Sequence, residues 1–123
     1  MAITTLNSYV DVQKFITGIL KANGEDASGS PHKNFWTTLS YTQFVTGTVP
    51  GVNDPNTGKP TIPILIKGNS EQSNIILALQ GAAGTPFDPN TGAFGQMPAD
   101  GPPMFTPDQI QSIADWIDRG CPQ

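Results

Sequence analysis

The chain has 123 residues, room for one domain with a core that needs no disulfide or metal staple. Ten acidic residues against six basic ones leave a net charge of −4, which draws the protein to neither nucleic acid nor an anionic membrane. A single cysteine excludes an intramolecular disulfide and every multi-cysteine metal site.

Thirteen glycines and twelve prolines predict short helices joined by long, shaped loops. No apolar run approaches the length of a membrane span. Met1-Ala-Ile-Thr-Thr5 has neither the basic nor the apolar region of a signal peptide.

The first helix is expected from about Ser8 to Ala22. Ser8 and Asp11 have capping spacing, and Val12, Phe15, Ile16, Ile19 and Leu20 form one apolar stripe. Asn23-Gly24 ends it. Gly18 lies inside this helix, at a cost of roughly 1 kcal/mol relative to alanine. Either another element crosses there, with the terminal helix and Trp116 as the natural candidate, or it is a tolerated surface glycine.

A polar loop follows over residues 24–35 and carries the only histidine, His32. Phe35-Trp36 returns the chain to the core. Ser40 and Gln43 cap a short helix through about Thr46. From Thr48 to Ile66 the chain reads as loop. Ile62, Ile64 and Ile66 alternate, but Pro63 limits them to an extended edge segment.

A third helix is expected at about Ser70–Gln80. Asn69 is its N-cap, Gln72, Ile75, Ile76 and Leu79 its face, and Gly81 its stop. A second Gly/Pro-rich loop, Ala82 to Pro103, contains Met97. The terminal helix is the best specified. Thr106 and Gln109 form a capping box, Pro107 takes the first helical position, and Phe105 with Ile110 has staple spacing. Ile110, Ile113, Ala114 and Ile117 form its apolar face with Trp116 at the edge, and Arg119, Gly120 and Pro122 end it. The reading is all-α, one domain over residues 1–123, with two loops of the length that tends to carry function.

Chemistry of the ordinary enzymatic kind finds no support in the residues. No Gly-x-Ser-x-Gly elbow serves His32, and Gly81-Ala-Ala-Gly84 lacks the lysine ending of a phosphate loop. Asp115 and Asp118 read as the solvated face of the terminal helix. Asp54-Pro-Asn-Thr-Gly58 repeats as Asp88-Pro-Asn-Thr-Gly92. Both copies read as turns rather than calcium loops, since Leu65 and Ala99 stand where the twelfth-position glutamate belongs. Cys121 is either an ordinary free thiol or the point at which two chains pair as a dimer.

A histidine in an early loop and a methionine in a late one, between terminal helices, is the layout of His/Met haem ligation. The residues around Met97 carry more. Lys67-Gly-Asn69-Ser-Glu71-Gln-Ser73-Asn-Ile-Ile resembles the helix start "PGDPExSxLY" of bacterial cytochrome-c-like domains. Met97-Pro98-Ala-Asp-Gly101-Pro-Pro through Thr106-Pro107-Asp-Gln-Ile to Trp116-Ile117-Asp-Arg-Gly120-Cys121-Pro122 resembles their "MPPxGxPLTxEEIxxIxxWIxxGAP". The likeness covers residues 67–122 and the N-terminal helix in outline.

This resemblance implies a class I cytochrome c fold, with the N- and C-terminal helices crossing at Gly18 and Trp116 and two shorter helices between. It implies that Met97 takes the axial methionine position. It also implies a location outside the cytoplasm, periplasmic or secreted, alone or beside an oxidoreductase partner. The departure lies in haem attachment, which needs Cys-x-x-Cys-His. Ser28-Gly29-Ser30-Pro31-His32 has the spacing without the cysteines.

Two outcomes follow. The domain is haem-free and serves as a non-catalytic binding or accessory module without a cofactor, or it holds haem non-covalently through His32 and Met97. An emptied pocket costs several kcal/mol unless side chains refill it. Phe35, Trp36, Phe44, Phe87, Phe94 and Phe105 are the candidates for filling or lining it. A third reading is a small-molecule or carbohydrate binder with Trp36 as stacking platform.

Overall fold

A computed structural model describes residues 3–25, 35–97 and 104–123. Its elements are α1 (Tyr9–Ala22), α2 (Phe35–Thr38), α3 (Tyr41–Thr46), a 3₁₀ turn (Ser70–Gln72), α4 (Asn74–Gln80) and α5 (Pro107–Asp118). Strand pairing among the described residues is limited to the isolated bridges Thr48–Pro63 and Ile66–Asn69, so the fold is all-α. None of the described helices is long and apolar enough to cross a membrane.

Local signals set the helix ends. Ser8 caps α1 by accepting from the Asp11 N–H at 3.1 Å, while the Asp11 carboxylate accepts from Asn7 rather than from Ser8. Full reciprocal capping boxes form at Ser40/Gln43 and at Thr106/Gln109. At their C-termini α1, α4 and α5 all close in Schellman fashion. The N–H of Glu25, Ala82 and Cys121 reaches the carbonyl of Leu20, Leu77 and Trp116 at 2.8, 3.1 and 3.0 Å. The reversal needs a left-handed residue, and glycine supplies it each time, at Gly24, Gly81 and Gly120.

One core joins the elements. Val12, Ile16 and Leu20 of α1, Phe35 and Trp36 of α2, Phe44 and Val45 of α3, Ile64, Leu65, Ile76 and Leu79, and the face of α5 all belong to it. Trp116 is 0% exposed, so it lies at the centre of the packing and not at the edge of the α5 stripe. Its indole N–H donates to the Pro122 carbonyl at 2.9 Å.

Three expectations are corrected. Gly18 is exposed, and a Cβ there would meet nothing within 4 Å, so it marks no helix crossing. The element packed most closely on α5 is α4 with its 3₁₀ turn, whereas α1 packs on α2. The N-terminal lead-in does reach α5, through Thr4 N–H to Ser112 Oγ at 2.9 Å and an Arg119 bond to the Leu6 carbonyl.

The helix expected over 70–80 breaks at Ser73. Asn69 caps only the 3₁₀ turn, and Gln72 is exposed, so the buried face is Ser73, Ile76 and Leu79. Ser73 is fully buried, donating to the Asn69 carbonyl at 2.7 Å and accepting from the Ile66 N–H at 2.9 Å. A buried hydroxyl with both roles filled costs little, and it folds the chain back before α4 starts.

Asp118 is the third. It is exposed, but its two oxygens accept from the Ser70 N–H and Ser70 Oγ, each at 2.8 Å. Beside it the Gly68 N–H donates to the Ile117 carbonyl at 3.0 Å. The stretches 67–76 and 104–122, far apart in sequence, are thus docked by hydrogen bonds at the C-terminal end of α5.

The extended edge segment expected over 62–66 is interrupted by a bend at Ile64 and pairs only through isolated bridges at Pro63 and Ile66. Val49 N–H donates to the Ile62 carbonyl and Ile64 N–H to the Gly47 carbonyl. Burial departs from strict alternation: Ile62 and Ile64 are buried, but Leu65 replaces Ile66, which is 44% exposed.

Candidate functional site

Met97 is held by α4. Its N–H donates to the Ala78 carbonyl at 2.8 Å, and the Gln96 side-chain amide donates to the Leu79 carbonyl at 3.0 Å. Both carbonyls belong to the last turn of a helix, where acceptors lack intrahelical donors. The loop therefore completes the α4 cap, and in return its methionine is seated, partly buried, against the main core. His32 lies outside the described residues.

The six aromatic residues divide into two groups. Phe35, Trp36, Phe44 and Phe105 are each less than 9% exposed and belong to the core that Met97 packs on. Phe35 contacts Trp36 at 5.6 Å and stacks on Phe44 at 5.9 Å, and Phe44 reaches Trp116 at 6.3 Å. Tyr9 joins from α1 at 5.0 Å from Phe44, its hydroxyl donating to the Trp36 and Leu39 carbonyls. Burial raises the Tyr9 pKa above its ordinary value.

Phe87 and Phe94 stand outside this cluster and pack on each other at 5.6 Å. Trp36 is 6% exposed, with its indole N–H donating to Thr17 Oγ1. A ring so enclosed offers no open face, which removes it as a stacking platform for a sugar.

Cys121 is 0% exposed, and burial pushes its thiol pKa up to about 11. The Tyr41 hydroxyl donates to its carbonyl, which pins the C-terminal tail against α3. A thiol in that position cannot meet one from a second chain, so the proposed dimer through Cys121 is ruled out while the chain stays folded. The neutral thiol is favoured in the fold, and the unfolded chain loses its proton first, near pH 9. Stability from this group is therefore complete below that pH and is lost as pH rises toward about 11. We expect the urea midpoint to fall across that window and Cys121→Ala to flatten its lower half, with Tyr9 adding to the upper half. A thiol reagent at neutral pH should label the native protein at least ~100-fold more slowly than the denatured chain; equal rates would refute the buried placement.

The two Asp-Pro-Asn-Thr-Gly stretches share two hydrogen bonds but not the conformation of their glycine, which is left-handed at Gly58 and not at Gly92. Asn56 N–H donates to Asp54 Oδ1 and Asn90 N–H to Asp88 Oδ1, both at 2.8 Å. Gly58 and Gly92 N–H close each turn on the aspartate carbonyl at 2.7 and 2.8 Å. In the second copy Oδ2 also accepts from Gly84 N–H. These backbone donors, Asn90 first, hold the Asp88 carboxyl below its ordinary pKa.

Two surface depressions lie among the described residues. A polar groove of about 440 Å³ runs between the 3₁₀ turn, α4 and α5, with Glu71, Gln80, Gln111 and Asp118 beside Ile76 and Ala114. A smaller notch of about 170 Å³ lies between the two long loops. Sequence reasoning gave no docking role to the residues that join 67–76 to α5: Asp118 read as solvated face, and Ser70 stood unremarked within a quoted stretch. A serine reads as solvent-facing until its partners are known.

No protein family, curated protein or solved structure with which the chain was compared matches it.

Proposed function

We propose that the chain is a haem-free cytochrome-c-like domain acting as a non-catalytic binding or accessory module. Its partner would be another protein or a neighbouring oxidoreductase domain, outside the cytoplasm. The proposal starts from the likeness of residues 67–122 to that family and from the absence of Cys-x-x-Cys-His. The observation that carries the haem-free part is the packing of Phe35, Trp36, Phe44 and Phe105. These side chains, candidates for the wall of a haem pocket, are buried in a continuous core with Trp116, and Met97 packs against that core. Side chains so packed remove the void that losing a macrocycle would leave, and with it a cost of several kcal/mol.

The second reading, non-covalent haem between His32 and Met97, is favoured by one observation. Met97 is anchored to α4 by a backbone hydrogen bond, and a ligating residue needs a fixed position. Haem would supply one-electron transfer there, with the thioether raising the iron's potential. Absorbance separates the readings. Purified protein is expected to show no Soret band, and haemin titrated into it no saturable spectral change. A stoichiometric Soret band that responds to reduction and is altered in both His32→Ala and Met97→Ala would overturn the haem-free assignment.

A further inference from the structure

The first Asp-Pro-Asn-Thr-Gly turn has no part in the function proposed above, yet it borders one feature. It contributes Asp54, Pro55 and Asn56 to the wall of the 170 Å³ notch, which Phe87 and Phe94 line from either side of the second copy together with Asn74, Pro86 and residues 61–63. We propose that this notch is a subsite for a neutral polyhydroxylated ring, a single sugar residue of a glycan.

Three features select that chemistry. The first is the pairing of an aromatic surface with planar polar groups. Phe94, half-buried, supplies the aromatic face, and the enclosed Phe87 packs against it with the two rings tilted by 34°. A sugar ring has an apolar C–H face suited to such a surface and a rim of hydroxyls that must find partners. Asp54 has one oxygen engaged by the Asn56 N–H and a second for a ligand hydroxyl. The carboxamides of Asn56 and Asn74 both donate and accept, which matches neighbouring hydroxyls.

The second feature is charge. Among the described residues, Asp54 is the only ionisable group lining the notch, and no lysine or arginine joins it. The carboxylate disfavours a phosphate or carboxylate ligand, whereas a neutral polyol meets no such repulsion.

The third is that the backbone around the notch is closed to a peptide. Pro55, Pro63 and Pro86 have no N–H to offer. The Pro63 carbonyl already accepts from Asn74 Nδ2 at 2.8 Å, and the Pro86 carbonyl from the Phe94 and Gly95 N–H groups at 2.8 and 3.3 Å. The Asp54 N–H donates to the Lys59 carbonyl at 2.8 Å. Strand-type pairing needs unpaired backbone groups in series, and these are engaged or missing. Recognition falls to side chains, as suits a ring with hydroxyls around it.

The test is an amide-resolved NMR titration of the full chain with D-glucose, D-galactose and N-acetyl-D-glucosamine in turn. At least one should give saturable shifts with a Kd of ~0.1–10 mM, as expected for one ring in a small notch. The shifts should be confined to residues 54–58, 74 and 87–94. Phe94→Leu keeps the apolar filling but loses the flat face, and Asp54→Asn keeps the turn acceptor but loses the charge. Each should weaken binding at least ~5-fold. No saturable shift with any of the three sugars, shifts centred elsewhere, or unchanged affinity in either variant would overturn the proposal. So would saturation at these residues by acetyl-triproline amide and not by sugar. The result is independent of haem status, which the absorbance experiment reads separately.

Discussion

Trp116→Ala is expected to destabilise the protein by about 3–5 kcal/mol, the range for removing a large aromatic side chain from a packed core. Trp116 is fully buried, touches Phe44, and donates its indole N–H to the Pro122 carbonyl. The substitution therefore opens a cavity at the centre of the core and frees the C-terminal tail together. A loss of this size should lower the melting temperature by about 10–20 °C. Trp116→Phe retains most of the volume and loses the hydrogen bond, so about 1–2 kcal/mol is expected from it. Urea denaturation followed by circular dichroism measures both. A Trp116→Ala cost below about 1 kcal/mol would show that the indole is not at the centre of the packing.

Gly92→Ala is the second large effect, at about 2–4 kcal/mol. A Cβ at Gly92 would lie 2.2 Å from the Pro86 carbonyl oxygen and 2.8 Å from the Asp88 nitrogen, both backbone atoms that no rotamer change can clear. The Pro86 oxygen holds the Phe94 and Gly95 N–H groups, so moving it undoes the loop that leads to Met97. Gly58, the same position in the first pentapeptide, differs. It sits at φ +71° with nothing within 4 Å of its Cβ direction, and Gly58→Ala should cost only about 1–2 kcal/mol of left-handed strain. Identical pentapeptides therefore need glycine for different reasons, one for backbone conformation and one for close approach. Amide exchange of Phe94 gives an independent reading: it should accelerate in Gly92→Ala and not in Gly58→Ala. Equal costs for the two alanine variants would discard this distinction.

Much of the secondary structure was legible because its causes are local. Ser40/Gln43 and Thr106/Gln109 lie three residues apart, and a capping box needs no information beyond that spacing. The same holds for the helix stops at Gly24, Gly81 and Gly120 and for both pentapeptide turns, whose bonds span at most four residues. Reading failed where a local preference met a distant partner. Ser73 looks like an ordinary helix residue, but its hydroxyl is taken by Ile66 and Asn69, and the helix starts one residue later. Asp118 looks like a solvated charge, and Ser70, 48 residues away, makes it a clamp. Gly18 invited a helix crossing on a preference that costs only about 1 kcal/mol, too small to require one.

The candidate site was less legible than the fold. Met97 could be singled out by its loop and by the family-like residues after it, but not that Ala78 and Leu79 hold its loop in place. Phe87 and Phe94 were grouped with the other four aromatics because all six flank the long loops; the fold puts these two on a separate notch.

The sequence by itself thus determined an acidic, all-α chain with well-capped first and last helices, a buried Phe35-Trp36 and two turn-forming pentapeptides, since propensity, capping and periodicity act over three to eight residues. Only the tertiary structure decided that Trp116 is central, that Cys121 is sealed, that α4 packs on α5, and that Asp54 and Asn56 share a notch with Phe87 and Phe94. Each of these depends on contacts between residues dozens of positions apart, which no local pattern encodes.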